Sequence, residues 1–365
     1  MRKATLLTIL IVCFYVTAHS QENALLQYLS THQSVIERNP DSTLVISTET
    51  EKILQQAIKG KKLFVFGEGC SHFLYLNGDL LVLSAKFLSR RGLKYYFVEG
   101  ARGWAIEDNY FMQHPEIDAD TYYHPANGHY RELYETKRKI YQGSKYKIVG
   151  IDFERPSGLR KALVLLTQNI DQTKLAALYK IAPYVSDTSY VHDDPKSFTR
   201  HYRQLQDDFY RDSTVLKPLL GSNYEDFKYL LTNPNINTPS GARNKPMAEN
   251  LLNELSPIDK DALYLLDCGM DHSRPNIKGS LVNILSNNEE LRGKISVMNV
   301  VCDSCTTQVE ETSNWAFPVI KGEVMQTFKK AARGNITLFD LSALSEEYDY
   351  IKAYGNLLVL AQHQH

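Results

Sequence analysis

The sequence has little charge bias, few cysteines and no long apolar run after residue 20, and each shortage excludes a class of protein. Lys and Arg number 41 against 42 Asp and Glu, so a basic face for nucleic acid is not expected. No stretch after residue 20 is apolar enough to span a bilayer, so we expect no stable membrane insertion. No internal repeat or low-complexity tract is visible, which leaves an ordinary globular class.

The longest apolar run is at the N-terminus. Arg2 and Lys3 precede an apolar stretch over residues 4–16, and small residues near Ala18 lead into a polar segment from Gln21. This run is shorter than the roughly 20 residues of a permanent membrane helix, so it predicts a cleavable signal peptide over residues 1–20. A retained membrane anchor is the alternative. We expect a secreted or periplasmic protein whose mature domain covers residues 21–365.

Four cysteines follow the predicted signal peptide: Cys70, Cys268, Cys302 and Cys305. An even number in an oxidising compartment favours disulfides, although the spacing alone leaves three pairings open. Cys302 and Cys305 have redox-motif spacing, but the residues after them do not favour a thioredoxin-like unit. A structural disulfide or two unreactive thiols is therefore the expected state of this pair.

Amphipathic helices alternate with short apolar strands along most of the chain. Near-continuous apolar strands between helices are typical of an α/β fold, with a mainly parallel central sheet and helices on both faces. Only helices are predicted between about 157 and 255, and we interpret this segment as a helical insertion within one domain. The apolar runs predict strands at 62–66, 95–98, 146–151, 262–268, 295–301, 336–341 and 356–361.

Polar side chains follow the predicted strands. Glu68 and His72 follow the first strand, Glu99 the second and Asp152 the third, while the segment 267–274 leaves the fourth. Parallel sheets bind ligands outside the carboxyl ends of their strands, so these residues predict a site at that edge. A carboxylate and an imidazole on one loop are what water activation needs.

Glu99 ends an apolar strand, where an unpaired carboxylate would be costly to bury. It could share the site with Glu68, and two neighbouring carboxylates would raise the pKa of one of them. It could equally form a simple ion pair with Arg102. The sequence leaves both interpretations open.

Several short motifs occur in an order that resembles the erythromycin esterase family. That family has a GE-x-x-H loop, a strand-ending Glu, a G-x-D, an R-D-x-x-M-A-E-N-like helix and a later strand end that bears histidine. Glu132 resembles its helical Glu. The match runs from about 45 to 361, and the motifs that carry it are FGEGCSH at 66–72, VEG at 98–100, GID at 150–152 and RNKPMAEN at 243–250.

The resemblance implies an α/β protein in which a histidine activates water against an ester or similar bond. By position, His72 would be the general base, Glu68 and Glu99 its carboxylate neighbours, and His272 the group that holds or polarises the substrate carbonyl. The substrate would be a small molecule, and the residues assigned to its binding are Asp152, Glu132, Arg243 and Arg274.

This chain departs from the family pattern in ways that argue against macrolide hydrolysis as such. Three residues separate Glu68 from His72 where the family has two, and Gly269 stands where an H-N-x-H motif has its first histidine. The helix motif reads Arg-Asn in place of Arg-Asp. A different substrate remains open, as does a degenerate member that binds a small molecule or glycan without turnover.

Two of the loops that depart from the family pattern contain a cysteine. Placed at adjacent strand ends, Cys70 and Cys268 would come within disulfide reach, and we predict that they are bonded across the cleft. The competing interpretation is a zinc ion bound by His72, His272 and these thiolates. Export into an oxidising space favours the disulfide, so no metal or other cofactor is expected.

Overall fold

The computed structural model describes most of the chain that follows the predicted signal peptide. The predicted signal peptide, Cys70, His72 and Cys305 lie outside the described residues. Glu132 lies on a described helix, but its side chain is outside the description. The described residues are 21–39, 43–69, 75–118, 128–171, 173–174, 195–233, 242–255, 262–303 and 322–362.

Every strand predicted from an apolar run is present, with ends that agree to within two residues. Three further strands near the N-terminus were not predicted, because two or three residues are too few to show a pattern. The strands are β1 (Gln33–Val35), β2 (Glu37–Arg38), β3 (Leu44–Val45), β4 (Leu63–Glu68), β5 (Leu93–Val98), β6 (Lys147–Gly150), β7 (Leu263–Gly269), β8 (Ile295–Asp303), β9 (Ile336–Asp340) and β10 (Leu357–Gln362).

One sheet of eight strands forms the centre, in the order β1-β9-β10-β8-β4-β7-β5-β6. The run from β10 to β6 is parallel throughout, whereas β9 is antiparallel to both β10 and β1. Strand β7 lies between β4 and β5, although β4 and β5 are consecutive in the chain. The predicted α/β class with a mainly parallel sheet is confirmed.

Helices cover both faces of this sheet. Residues 21–31 are also helical and precede the helices that follow. The helices are α1 (Thr48–Ile58), α2 (Tyr75–Ser89), α3 (Arg102–Gln113), α4 (Gly128–Ser144), α5 (Pro156–Thr167), α6 (Pro195–Arg211), α7 (Ser213–Leu220), α8 (Tyr224–Leu231), α9 (Asn244–Glu254), α10 (Met270–Ser273), α11 (Leu281–Ser286), α12 (Gly322–Ala331) and α13 (Asp349–Lys352).

Alternate residues of each strand enter cores on opposite faces. In β4, Leu63 and Val65 pack with helices α5 to α9 on the first face, whereas Phe64 and Phe66 pack with α1 and α2 on the second. A strand buried on both sides has no polar face, which explains the near-continuous apolar runs of the sequence. The few polar residues at the strand ends therefore stand out.

Between β6 and β7, the described residues form helices and no strand. These helices bury Phe209, Phe227 and Leu251 in the same core cluster as Val65 and Leu266 of the sheet. The helical segment therefore packs directly on the first face of the sheet. No helix in the described part of the chain has both the length and the apolar character needed to cross a membrane.

Candidate active site

Glu68 ends strand β4 between two glycines, and close packing requires both of them. A Cβ atom at Gly67 would lie 1.7 Å from Asn299 Oδ1, and one at Gly69 would lie 1.6 Å from the backbone oxygen of Val300. Asn299 is fully buried on the neighbouring strand β8. Glycine at both positions lets β4 lie against β8 while it carries Glu68 to the carboxyl edge of the sheet.

Glu99 follows strand β5 and contacts three different groups. Its Oε2 accepts a hydrogen bond from the backbone N–H of Gly269 at 2.7 Å, and its Oε1 lies 2.5 Å from Arg243 Nη2 and 3.2 Å from His272 Nε2. Burial alone would raise the pKa of Glu99, but His272, the Gly269 N–H and the Arg243 charge outweigh burial and lower that pKa to about 2. Glu99 is therefore a carboxylate at neutral pH.

Arg243 joins this carboxylate to a second one. Its Nη1 donates to Asp152 Oδ2 at 2.6 Å, just beyond the end of strand β6. The side chain of Asp152 is only 4% exposed, and burial raises its pKa above the usual value even though Arg243 acts in the opposite direction. One guanidinium thus bridges carboxylates from the ends of two neighbouring strands, in the forked geometry that arginine favours.

His272 lies on α10 with contacts at both ring nitrogens. Nδ1 lies 2.5 Å from Asn244 Oδ1, an acceptor, which places a proton on Nδ1. Nε2 lies 2.9 Å from Arg243 Nη2 and 3.2 Å from Glu99 Oε1. Nε2 therefore faces a donor, Arg243 Nη2, and an acceptor, Glu99 Oε1, at the same time.

Arg243 immediately precedes helix α9, and Asn250 follows it two turns later on that helix. The Asn250 amide donates to the backbone oxygen of Ile151 at 2.8 Å and to Asn233 Oδ1 at 3.2 Å, while Asn233 donates to the backbone oxygen of Asp152 at 2.9 Å. Residues seven apart lie on one face of a helix. Arg243 and Asn250 therefore both hold the segment that follows β6, since Arg243 bonds to Asp152 and Asn250 to Ile151.

Arg102 is not the partner of Glu99. Its guanidinium is buried and donates to the backbone oxygen of Tyr229 at 2.6 Å and to Asn250 Oδ1 at 3.0 Å. The ion pair considered for Glu99 is formed with Arg243 instead. Arg102 is the first residue of α3, and its bonds to Tyr229 and Asn250 direct its guanidinium to α8 and α9.

Glu68 has a different carboxyl neighbour, Asp267 of strand β7. Asp267 lies opposite Phe66 in the parallel ladder, and its carboxyl is in hydrogen-bonding contact with that of Glu68. Tyr96 OH donates to Asp267 Oδ2 at 3.0 Å. Burial first, and then the negative charge of Glu68, raise the pKa of Asp267 well above its usual value.

The structure brings together four of the residues assigned from the sequence: Glu99, Asp152, Arg243 and His272. Glu68 lies at the same edge of the sheet with Asp267. Arg274 instead pairs with Asp271 at 2.7 Å, where the Asp271 side chain is 88% exposed. The expected base His72 and the Glu132 side chain lie outside the described part of the chain, so their assigned roles stay predictions.

The prediction of a Cys70–Cys268 disulfide is wrong, because Cys268, the described member of the pair, has a free, buried thiol. Strands β4 and β7 are neighbours as the prediction requires, but the Cys268 side chain packs in the core of the first face. Cys302 is disulfide-bonded, and its partner lies outside the described residues. Within the described residues, no three His, Cys, Asp or Glu side chains are grouped to hold a metal ion.

Sequence reasoning missed two contributors. Asn244 was noted only as a departure from the family motif, yet its side chain orients His272. Asp267 was noted only as part of a polar loop, although it is still within strand β7. A charged residue inside an otherwise apolar strand was the available signal, because burial of such a residue requires a specific partner.

No protein-family model matches this sequence, and no curated protein matches it either. The fold is similar to that of a protein from Bacillus cereus, with a TM-score of 0.62, 11% identity, and coverage of 93% of this chain and 97% of that chain. It is similar to a succinoglycan biosynthesis protein at a TM-score of 0.62 and 12% identity, covering 94% and 97% of the two chains.

The fold is also similar to that of a mutant erythromycin esterase in its open conformation. The TM-score is 0.56 at 13% identity, with coverage of 87% of this chain and 94% of that chain. At such identities the likeness shows a shared α/β fold alone.

Proposed function

We propose that this protein is a hydrolase that cleaves an ester or similar bond of a small molecule with water activated by a histidine. The observation that carries the proposal is the contact of Glu99, Asp152, Arg243 and His272 at the carboxyl ends of neighbouring strands. Ligands of parallel sheets bind at this edge, and buried charges are costly to keep there without a function. The resemblance of the loop motifs to erythromycin esterases agrees with this assignment.

The site residues divide the chemistry between them. His72 takes the proton of the attacking water, with Glu68 at the end of the preceding strand as its carboxylate neighbour. His272 and Arg243 supply donors toward the carbonyl oxygen, where negative charge develops during attack. Glu99 keeps both of these groups in place, because it contacts Arg243 and His272 with one oxygen and Gly269 N–H with the other.

Non-catalytic binding of a small molecule or glycan is the second candidate, and one observation favours it. Both ring nitrogens of His272 and both terminal nitrogens of Arg243 already have partners within the site. Groups that are satisfied in the free protein must exchange partners before they act on a substrate. A protein that only binds its ligand would keep this network of contacts intact in the ligand-bound state.

The test is turnover of a panel of chromogenic carboxylic esters by the mature chain. His72→Ala is expected to lower kcat by about 100-fold, which is the lower range for loss of a general base. Glu99→Gln is expected to lower kcat as well, because it loosens Arg243 and His272 together. His114→Ala is the matched control, since His114 pairs with the exposed Glu116.

Two outcomes would contradict the hydrolase. Unchanged turnover in His72→Ala would remove the general-base assignment. Binding of the esters by calorimetry with no turnover in the wild type would favour the binding protein instead.

We also propose that the protein acts outside the cytoplasm after removal of residues 1–20. The charged start, short apolar run and small residues before Gln21 support this. N-terminal sequencing of the protein recovered from the exported fraction is expected to begin at or near Gln21. Recovery of the intact N-terminus in a membrane fraction would indicate a retained anchor.

A further inference from the structure

The carboxyl groups of Glu68 and Asp267 form an acid pair between the two central strands β4 and β7. Their parallel register places Asp267 opposite Phe66 and Glu68 opposite Gly269, so the two side chains leave the sheet on the same face. The strands are hydrogen-bonded neighbours, and the carboxyl groups are in hydrogen-bonding contact. This pair is separate from the Glu99 contacts, because Glu99 follows β5 on the other side of β7.

The remaining surroundings of Asp267 leave one oxygen without a donor. Tyr96 OH donates to Oδ2 at 3.0 Å, whereas Oδ1 is buried and is reached by no donor from the described residues. Two carboxylate oxygens cannot hydrogen-bond to each other unless one of them has a proton. A proton held between the two carboxyl groups accounts for their contact, and Asp267 Oδ1 is the oxygen that no other donor in the described part of the chain reaches.

Among the described residues, the charged and titratable groups that act on Asp267 come from β4, β5 and α4. Glu68 approaches from β4, Tyr96 from β5 and Lys137 from α4, while Tyr146 lies behind Tyr96. Burial and the Glu68 charge raise the pKa of Asp267, and they outweigh Lys137 and the Tyr96 hydroxyl, which lower it. Burial likewise raises the pKa of Tyr96, so the hydroxyl remains a donor.

We propose that Asp267 is a positioning residue that keeps one proton shared with Glu68, so that the pair has a single negative charge and Glu68 is fixed as the carboxylate beside the catalytic loop. The proton is held by the pair and is not consumed in turnover. The positioning role rests on the proposed hydrolase function, whereas the shared proton does not. The two can therefore be tested apart.

Infrared spectroscopy of the intact mature chain at neutral pH tests the proton directly. The wild type is expected to show the C=O band of a protonated carboxylic acid, and Asp267→Asn is expected to lose it. Glu68→Gln should lose it too, because the glutamine amide donates to Asp267, whose carboxylate then needs no proton. Asp340→Asn, at the end of β9, is the matched control and should keep the band.

The proposal would be overturned if the spectrum of Asp267→Asn kept the whole acid band of the wild type. The same holds if Glu68→Gln keeps the full band. Because Asn has the shape of protonated Asp, Asp267→Asn is expected to fold. Its free energy of unfolding should lack the loss with rising pH that a raised Asp267 pKa gives the wild type.

The positioning role is tested by the pH profile of ester turnover. Wild-type kcat should fall at alkaline pH as Asp267 ionises, and the pH profile of the kcat that Asp267→Asn retains should lack that falling limb. Asp267→Ala is expected to lower kcat by about 100-fold at neutral pH. An alkaline limb that persists in Asp267→Asn would overturn the role. If the infrared acid band is present but no ester is turned over, the proposed hydrolase function is contradicted and the shared proton still stands.

Discussion

Gly67 lies so close to Asn299 that a Cβ atom on the glycine would stand 1.7 Å from the Asn299 Oδ1 atom. Asn299 is fully buried, and its Oδ1 accepts a hydrogen bond from Ser273 at 2.5 Å. Ser273 ends the short helix α10, which also holds His272. Gly67 near the end of β4, the buried side-chain amide of Asn299 and the helix that contains His272 are thus packed against one another.

Gly67→Ala is expected to destabilise the protein by about 1–3 kcal/mol, because the added methyl group overpacks a buried polar contact. Denaturant unfolding measures the change. Gly143→Ala is the matched control, since a Cβ atom there meets nothing within 4 Å and the helix gains from alanine. Equal stability of the two variants would contradict the close packing.

Arg243→Met is expected to lower the free energy of unfolding by about 3–5 kcal/mol, because it leaves two buried carboxylates without their cation. Arg274→Met is the control, because its partner Asp271 is 88% exposed and exposed pairs contribute at most about 1 kcal/mol. Thermal and denaturant unfolding of both variants gives the comparison. Similar losses would show that the Glu99 and Asp152 bridge is not the larger contribution.

Stability is expected to fall in acid through Glu99. Its pKa is lowered from 4.5 to about 2 in the folded protein, so its contribution is present above pH 4.5 and is lost as pH falls through 2. The loss amounts to about 3 kcal/mol, because each pH unit between the unfolded and the folded pKa contributes about 1.4 kcal/mol. Asp152 acts in the opposite direction, because its pKa is raised.

Unfolding measured at a series of pH values isolates this contribution when wild type and Glu99→Gln are compared. Glu99→Gln should be less stable at neutral pH, and the difference should shrink as pH falls from 4.5 to 2. A difference that stays constant with pH would show that the pKa of Glu99 is not lowered.

Mass mapping without reductant is expected to find Cys302 in a disulfide and Cys268 as a free thiol. The Cys302 side chain lies in the same core cluster as Phe66 of β4. Burial, and then the Glu99 charge, raise the pKa of the Cys268 thiol, so alkylation should require unfolding. Rapid alkylation of Cys268 in the native protein would contradict its burial.

Much of the fold could be predicted because the signals are local. Strands such as β5 and β8 are short apolar runs, and the helices around them have apolar faces at the spacing of a helix. Once the sheet is parallel, its strand ends share one edge, so the closeness of Glu99 and Asp152 follows from the pattern alone.

Choice of partner was decided only by the tertiary structure. Sequence order suggested that Glu68 and Glu99 would be neighbours, but β7 enters between their strands. Asp267 of β7 therefore contacts Glu68. The cation that pairs with Glu99 is Arg243, which is 144 residues further along the chain, and not Arg102.

The cysteines show the same division. Their number after the predicted signal peptide suggested a disulfide, and Cys302 does form one. The face of the sheet on which each side chain lies depends on strand register and on alternation along the strand, and these are fixed only when distant strands pair. The sequence determined the strands and the edge at which their polar residues meet, whereas strand order and side-chain direction decided which of those residues touch.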